Sequence, residues 1–338
     1  MGELRQDRIT GEWSIIAPER SKRPHRPEDS SASTAHGANK SREDVAARDP
    51  ACPFCPGDEY MLEPIIEETP GSEAPGWQNR AVLNKYPILS GTHGEQGAGY
   101  GNHEVIIETP RHDLELADFS PAEMAALVEM WHRRYRAALA LPGIRSVQLF
   151  RNCGSAAGAS LKHAHSQVVA LPIAPPRHEA TLGRARAFHA ETGNCLICAE
   201  LARELDEGPR VVELTDDFAL LVPYAAQSPL EQWIVPRRHS PCFSVADAPL
   251  RGALGMSLLS AVRRLASVAG DCAYNLVLEP GSSLAGDSAA AHWSMRLVPA
   301  TVTPGGFELG SGIAANPSSP EDDALRLCEA PACTSVYG

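Results

Sequence analysis

No stretch of the 338-residue chain approaches the ~18 uninterrupted apolar residues that a transmembrane helix needs. The opening residues, MGELRQDRITGEW, also lack the apolar core of a secretory signal. Basic residues are in the minority, 30 Lys and Arg against 42 Asp and Glu, for a formal net charge of −12. That balance withholds the broad positive field that a nucleic-acid or anionic-membrane binder requires, and leaves room only for a local basic pocket around a small phosphate ligand. A dinucleotide fingerprint is missing too. Gly154-x-x-x-Gly158-Ala-Ser follows a strand-like run, but no distal acidic partner accompanies it, which removes a dehydrogenase reading. The expectation is a cytoplasmic protein that meets neither nucleic acid nor membrane.

The length allows two or three domains, and 43% apolar with 21% charged residues is ordinary material for a sizeable core. Nine cysteines in a cytosolic chain suggest thiols or metal ligands before disulfides. Four of them form two C-x-x-C pairs, Cys52/Cys55 and Cys195/Cys198. One such pair could be a redox motif, whereas two, each introducing a similar series of elements, read as paired metal knuckles. Residues 26–49 have no hydrophobic period and read as a mobile surface loop. The stretch from Glu321 onward is weakly patterned.

Between these segments an order of elements occurs twice. After Cys52-Pro-Phe-Cys55 come strand-like RAVLNKYPIL and HEVIIETPRH, a helix, the strand VQLFRN from Val147, a Gly-rich turn and HAHSQVVALP from His163. For that helix Ser120 suits the N-cap, Pro121 the first position and Glu123 a capping box, with Gly143 as the stop. After Cys195-Leu-Ile-Cys198 come RVVELTDDFALLVPY, LEQWIVPRRH, a helix capped by Asp247, YNLVLEP, a Gly/Ser-rich loop and HWSMRLVP from His292. The sequence thus predicts strand, strand, helix, strand, strand in each half: an α+β fold of two similar halves, each an antiparallel sheet with a packed helix. The halves span residues 1–180 and 181–323, with a tail over 324–338.

The most informative segment runs from Asn152 to Gln167. In a strand His163, His165 and Gln167 share a face, roughly 6.6 Å apart in succession. Three polar side chains on one face of an otherwise apolar strand are expensive to bury without a ligand or partners. Gly154 and Gly158 let the backbone approach a phosphate, Ser160 offers a hydroxyl, and Lys162 adds charge or faces solvent.

These residues resemble galactose-1-phosphate uridylyltransferase and its relatives, including ADP-glucose phosphorylase, within the histidine-triad superfamily. The likeness covers roughly residues 11–323 and rests on GEWSIIAPERSKRP, CPFCPG, RAVLNKYP, ETPRH, the GAS-x-KHAHSQ block and PGGFELGSG, in order. It implies two histidine-triad-like halves, of which the first carries the catalytic residues. His165 would be the nucleophile that forms a covalent nucleotidyl-histidine, with ping-pong transfer to a sugar 1-phosphate. Neutral imidazole suits that role near pH 7, and Gln167, standing where hydrolytic relatives carry a third His, would hydrogen-bond the phosphoryl oxygens.

The resemblance also makes Arg20, Arg23, Asn84, Asn152, Gly158, Ser160 and Lys162 nucleotide or phosphate contacts. On composition alone Arg20 and Arg23 are a solvated basic run, and Asn84 could cap the turn before Tyr86-Pro87. Phe307, Glu308 and Gly310 fall in the sugar loop, which the uridylyltransferases take from the partner subunit, so a homodimer is implied.

Cys52, Cys55, His112 and His163 match the family's structural zinc set, and two thiolates with two imidazoles suit tetrahedral Zn²⁺. A surface role remains for His112. Cys195, Cys198, His239 and His292 would form a second zinc site. Counted from the closing prolines, however, His292 aligns with His165 rather than His163, unless a gap in the loop restores the match. Ser294 then stands where a nucleophile would be needed, so the second half is expected to be catalytically silent. The expected activity is transfer of a nucleoside monophosphate group from a nucleotide sugar or a nucleoside triphosphate (UTP, GTP or ATP) to a sugar 1-phosphate. The alternative is a phosphorylase of nucleotide sugars or a histidine-triad hydrolase of nucleotide conjugates. Ala164, where many uridylyltransferases have Pro, and the PGGFELGSG loop leave the base open among uridine, adenine and guanine.

Overall fold

The computed structural model describes residues 2–22, 45–71, 73–74, 76–91 and 99–331. Arg23 and residues 26–44 of the expected loop lie outside the described residues, as do residues 332–338 of the tail.

The first half contributes β3 (Ile65–Pro70), β4 (Trp77–Leu83), β5 (Asn102–Ile107), helix α1 (Pro121–Leu139), β6 (Ser146–Cys153) and β7 (His165–Leu171). After α2 (Pro176–Thr192) and α3 (Leu196–Glu207), the second half contributes β8 (Val211–Leu214), β9 (Phe218–Leu221), β10 (Gln232–Pro236), α4 (Ala248–Ala269), β11 (Tyr274–Glu279) and β12 (Ser294–Pro299). These ten strands form one antiparallel sheet in the order β3-β4-β5-β7-β6-β11-β12-β10-β9-β8. Read outward from the central β6–β11 pair, both halves run in the same order. The expected α+β architecture of two similar halves is what the chain adopts, with their sheets fused into one.

One face of this sheet carries α1 and α4 over a continuous core that includes Trp131, Leu127, Val168, Leu258, Leu276 and Trp293. Each such fully buried side chain contributes about 1.5–3 kcal/mol. The other face is covered differently in the two halves. Cys52, Phe54, Cys55 and Trp77 pack on Val105 and Ile107 in the first. In the second, Ile9 joins Ala185 of α2 and Leu196 and Leu201 of α3 on Trp233 and Val235. Strands β1 (Glu3–Gln6), β2 (Trp13–Ile16) and β13 (Ala314–Asn316) make a small separate sheet. It is tied to the second half by the Ser14 hydroxyl, which donates to the Ala225 carbonyl at 2.8 Å.

Helix α1 has the predicted capping box: the Glu123 N–H donates to Ser120 Oγ and the Ser120 N–H to Glu123 Oε2. It ends at Leu139, four residues short of Gly143, because Pro142 disfavours helix at the residue before it; Gly143 makes the following turn at φ 74°. Asp247 caps α4 as predicted, accepting from the Leu250 N–H at 2.9 Å.

Other expectations need correction. Within the ten-stranded sheet three strands, not two, precede the helix of each half. RVVELTDDFALLVPY folds back on itself as β8 and β9, its turn fastened by the Phe218 N–H on Thr215 Oγ1, and β3 is an added edge strand. RAVLNKYPIL stops being a strand at Leu83. The weakly patterned stretch from Glu321 opens as helix α6 (Pro320–Glu329), N-capped by Ser319, which buries Ala324 and Leu327 at a three-residue spacing. Among the described residues no helix is long and apolar enough to cross a membrane.

Candidate functional site

His165 opens β7, directly opposite Ile107 of β5. Its Nδ1–H donates to the His163 carbonyl at 2.8 Å, which leaves the Nε2 lone pair free for a ligand. Burial holds the imidazole below its ordinary pKa, aided by the positive charge of Arg151; the ring is therefore neutral at pH 7. The Phe54 ring, delivered by the first C-x-x-C knuckle, lies tilted at 5.3 Å between centroids. By alternation Gln167 shares this face, opposite Val105 on β5 and Phe150 on β6. Its Oε1 is 2.9 Å from His103 Nε2.

The opposite face of the same strand is locked down. Ser166 accepts from Trp131 Nε1 at 2.7 Å. The neighbouring Arg151 is wholly buried and donates through Nε to Glu108 Oε2 at 2.8 Å, with Glu115 and the Tyr274 hydroxyl as further partners.

Asn152, two residues beyond Phe150 on β6, brings its amide to the same face as His165 and Gln167. Asn275 of β11 donates to Asn152 Oδ1 at 2.9 Å and to the Ala157 carbonyl at 2.8 Å, so a second-half residue braces the loop. That loop turns at Gly154 (φ 80°), where a Cβ would stand 2.8 Å from Ala273 Cβ, and again at Gly158 (φ 87°). Ser160 and Lys162 are exposed on it and line a cavity of about 370 Å³ with Glu115, Cys153 and Tyr274. Asn84 follows β4 and is half-buried. Its Oδ1 accepts from the Tyr86 N–H at 2.8 Å, the turn-capping role open to it on sequence, and its Nδ2 lies 3.1 Å from His103 Nε2.

The structure therefore gathers His165, Gln167, Asn152 and, through His103, Asn84. Arg20, Phe307, Glu308 and Gly310 are carried by other elements, beside the small sheet. Arg20 lies in the short turn Pro18–Lys22 after β2, and the other three in α5 (Gly306–Ser311), just before β13. The Glu308 carboxyl is held below its ordinary range by its own backbone N–H and that of Gly305, with a contribution from the nearby Arg20 charge. Among the described residues none of these four hydrogen-bonds to His165, Gln167 or the glycine loop.

Both Cys/His quartets assemble, each with its ligand atoms within 4.8 Å of one another. His163 Nε2–H donates to the Thr109 carbonyl at 2.7 Å and turns Nδ1 toward Cys52 and Cys55, each 3.6 Å away; His112 Nδ1 is 3.5 Å from Cys55. In the second quartet Cys198 stands 3.6 Å from His239 Nδ1 and 3.4 Å from His292 Nδ1. Tetrahedral zinc with S at about 2.3 Å and N at about 2.0 Å sets sulfur and nitrogen about 3.5 Å apart, so both donor sets fit. The register doubt over His292 is resolved: it precedes β12 by two residues, as His163 precedes β7. Without metal, burial pushes the Cys52 thiol up to about 11. The Cys198 thiol and His292 instead stabilise a Cys195 thiolate by hydrogen bonding.

At the second-half position of His165 stands Ser294, and at that of Gln167, Arg296, bound to the buried Glu231. Sequence reasoning missed His103, Asn275 and the Arg151–Glu108 pair. Only His103 left a signal, as a polar residue on the alternating apolar face of HEVII.

Residues 92–175 match the family model for galactose-1-phosphate uridyl transferase, N-terminal domain. Over 97% of its length and 92% of the relative's, the chain is 32% identical to the ADP-glucose phosphorylase of Arabidopsis thaliana. The chain belongs to the galactose-1-phosphate uridylyltransferase family. A second member, the galactose-1-phosphate uridylyltransferase of Thermotoga maritima, is 30% identical over 71% of the chain and 68% of its own length. The fold agrees with the family's as well: an Arabidopsis thaliana ADP-glucose phosphorylase solved with bound ADP-glucose superposes with a TM-score of 0.83 at 31% identity, covering 97% of this chain and 98% of that one. Members of this family are nucleotidyltransferases.

Proposed function

We propose that this chain splits a nucleoside diphosphate sugar by double displacement at His165. Its Nε2 attacks the α-phosphorus, the bond to the sugar phosphate oxygen breaks, and sugar 1-phosphate leaves. The nucleotidyl group then passes from His165 to a phosphate oxygen of an acceptor, either a sugar 1-phosphate or inorganic phosphate. The observation that carries this reading is the fixed tautomer of His165, whose Nδ1–H is spent on the His163 carbonyl while Nε2 faces the site beside Gln167. Gln167 and Asn152 would donate to the phosphoryl oxygens as charge builds on them. The loop over Gly158, Ser160 and Lys162, together with Asn84, would hold the rest of the donor. ADP-glucose is the favoured donor, since the similarity to an ADP-glucose phosphorylase runs nearly end to end in both chains.

Zinc would sit in both quartets as a structural ion, the first tying Phe54 and the knuckle to the strand of His165. We assign nucleotidyl transfer to the half spanning residues 1–180 and a supporting role to residues 181–323, because Ser294 cannot replace the imidazole and Ile9, α2 and α3 cover its face of the sheet. Arg20, Phe307, Glu308 and Gly310, carried beside the small sheet rather than on the strand of His165, would reach the active site of a second copy in a homodimer.

Brief incubation with ADP-glucose or UDP-glucose, without acceptor, followed by intact-mass measurement tests the reading. An adenylyl or uridylyl increment that vanishes in His165→Asn supports it and names the base. Chasing the adduct with phosphate or with glucose 1-phosphate then separates phosphorolysis from transfer. No increment with either donor overturns double displacement.

A further inference from the structure

We infer that His103 is a positioning residue for the transfer, one that fixes which end of the Gln167 amide faces the reacting phosphorus. The inference rests on the role proposed above for His165 and Gln167.

The orientation is set by a backbone group that cannot rotate. The Ile88 N–H donates to His103 Nδ1 at 3.1 Å, so this nitrogen carries no proton. In a neutral imidazole the proton then sits on Nε2, and its acceptor is Gln167 Oε1 at 2.9 Å. Neutrality is favoured because the ring is buried, with 4% of its surface exposed, and a proton on Nδ1 would confront the Ile88 N–H. Asn84 does not take the Nε2 proton: its oxygen is committed to the Tyr86 N–H, and its Nδ2, itself a donor, stands 3.1 Å from Nε2 without bonding to it in this tautomer. With Oε1 held, the Gln167 NH₂ is the end left for a ligand. A flipped amide would set its oxygen against the phosphoryl oxygens and repel the charge that develops there.

The second half shows what replaces this pair where no chemistry is expected. Two residues back from Val105, which faces Gln167, lies His103; two residues back from Trp233, which faces Arg296, lies Glu231. Glu231 and Arg296 form a buried ion pair there, 3.1 Å between Oε1 and Nε. The same two positions thus hold a neutral, oriented amide in one half and a closed salt bridge in the other.

The test follows adenylylation of His165 by ADP-glucose in single turnover, or uridylylation by UDP-glucose if that is the donor accepted, in His103→Leu, His103→Gln, Gln167→Ala and the double variant His103→Leu/Gln167→Ala. Gln at 103 can place an N–H where Nε2 was, whereas Leu cannot. The expectation is a loss of about tenfold to a hundredfold in the rate of adduct formation for His103→Leu, with little change in half-saturating donor concentration. His103→Gln should recover most of that rate, and His103→Leu should cost nothing further in the Gln167→Ala background. An equal loss in both backgrounds, or a His103→Leu variant as fast as the parent, overturns the inference while leaving the double displacement intact. Should His103→Leu fail to fold, His103→Gln against the parent decides by itself: a loss beyond about tenfold overturns it. A parent chain that forms no adduct with either donor overturns both together.

Discussion

A buried arginine paired across the sheet with Ser166, the residue after the nucleophile, needs its charge met by a partner. For Arg151 that partner is Glu108, under β7, both essentially without solvent contact. Burial pushes the Glu108 carboxyl above its ordinary pKa, and the Arg151 guanidinium opposes that push. Glu108→Gln is therefore expected to cost about 3 kcal/mol in chemical denaturation, the lower end for breaking a buried pair, since Glu115 and Tyr274 still face Arg151. Pairing it with Arg151→Met should return part of that loss, because the double variant strands no charge. If Glu108→Gln alone unfolded at the parent's midpoint, Glu115 would be satisfying the guanidinium unaided.

At the scale of elements, the two quartets are alike in ligands and unlike in support. His163 Nε2 is held by the Thr109 carbonyl, whereas His292 Nε2 is buried and has no hydrogen-bond partner among the described residues. Cys198 and His239 of the second quartet are also less protected than Cys52, Cys55 and His163, which are buried. Loss of such a supporting hydrogen bond commonly weakens metal affinity by about 10–100-fold. In a chelator titration of zinc-loaded protein the second quartet should therefore empty first, with Cys198→Ser removing the early phase of release and Cys55→Ser the late one. Adduct formation at His165 should survive the early phase and fall with the late one. An early phase abolished by Cys55→Ser instead would reverse the assignment.

These ligands were legible in the sequence because C-x-x-C and H-x-H-x-Q are local patterns, and the strand period places His163, His165 and Gln167 on one face without reference to the rest of the chain. Helices α2 and α3 were not legible. Helix α2 has few buried positions, Leu182 and Ala185, and α3 starts inside the second C-x-x-C, where the motif hides the cap. Glu108 and Asn275 owe their importance to neighbours 43 and 123 residues away in sequence, so no local pattern announces them, and His103, which breaks the apolar face of HEVII, meets Gln167 only across the sheet.

For the whole molecule the outstanding feature is a separation. The residues that would act on phosphorus lie on the ten-stranded sheet, while Arg20 and α5 gather on the small sheet of β1, β2 and β13, anchored to the second half. A homodimer of twofold symmetry would let each copy lend that cluster to its partner. Then a subunit lacking the nucleophile and a subunit lacking the cluster are each inactive with themselves, yet their heterodimer holds one complete site. Co-expressing His165→Asn with the double variant Arg20→Ala/Glu308→Ala, each inactive alone, should restore about a quarter of the parent activity per site, since half of randomly assembled dimers are mixed and each has one of two sites complete. Activity that stays at the level of the separate variants, in a mixture shown by differential tagging to contain heterodimers, would mean that each chain completes its own site.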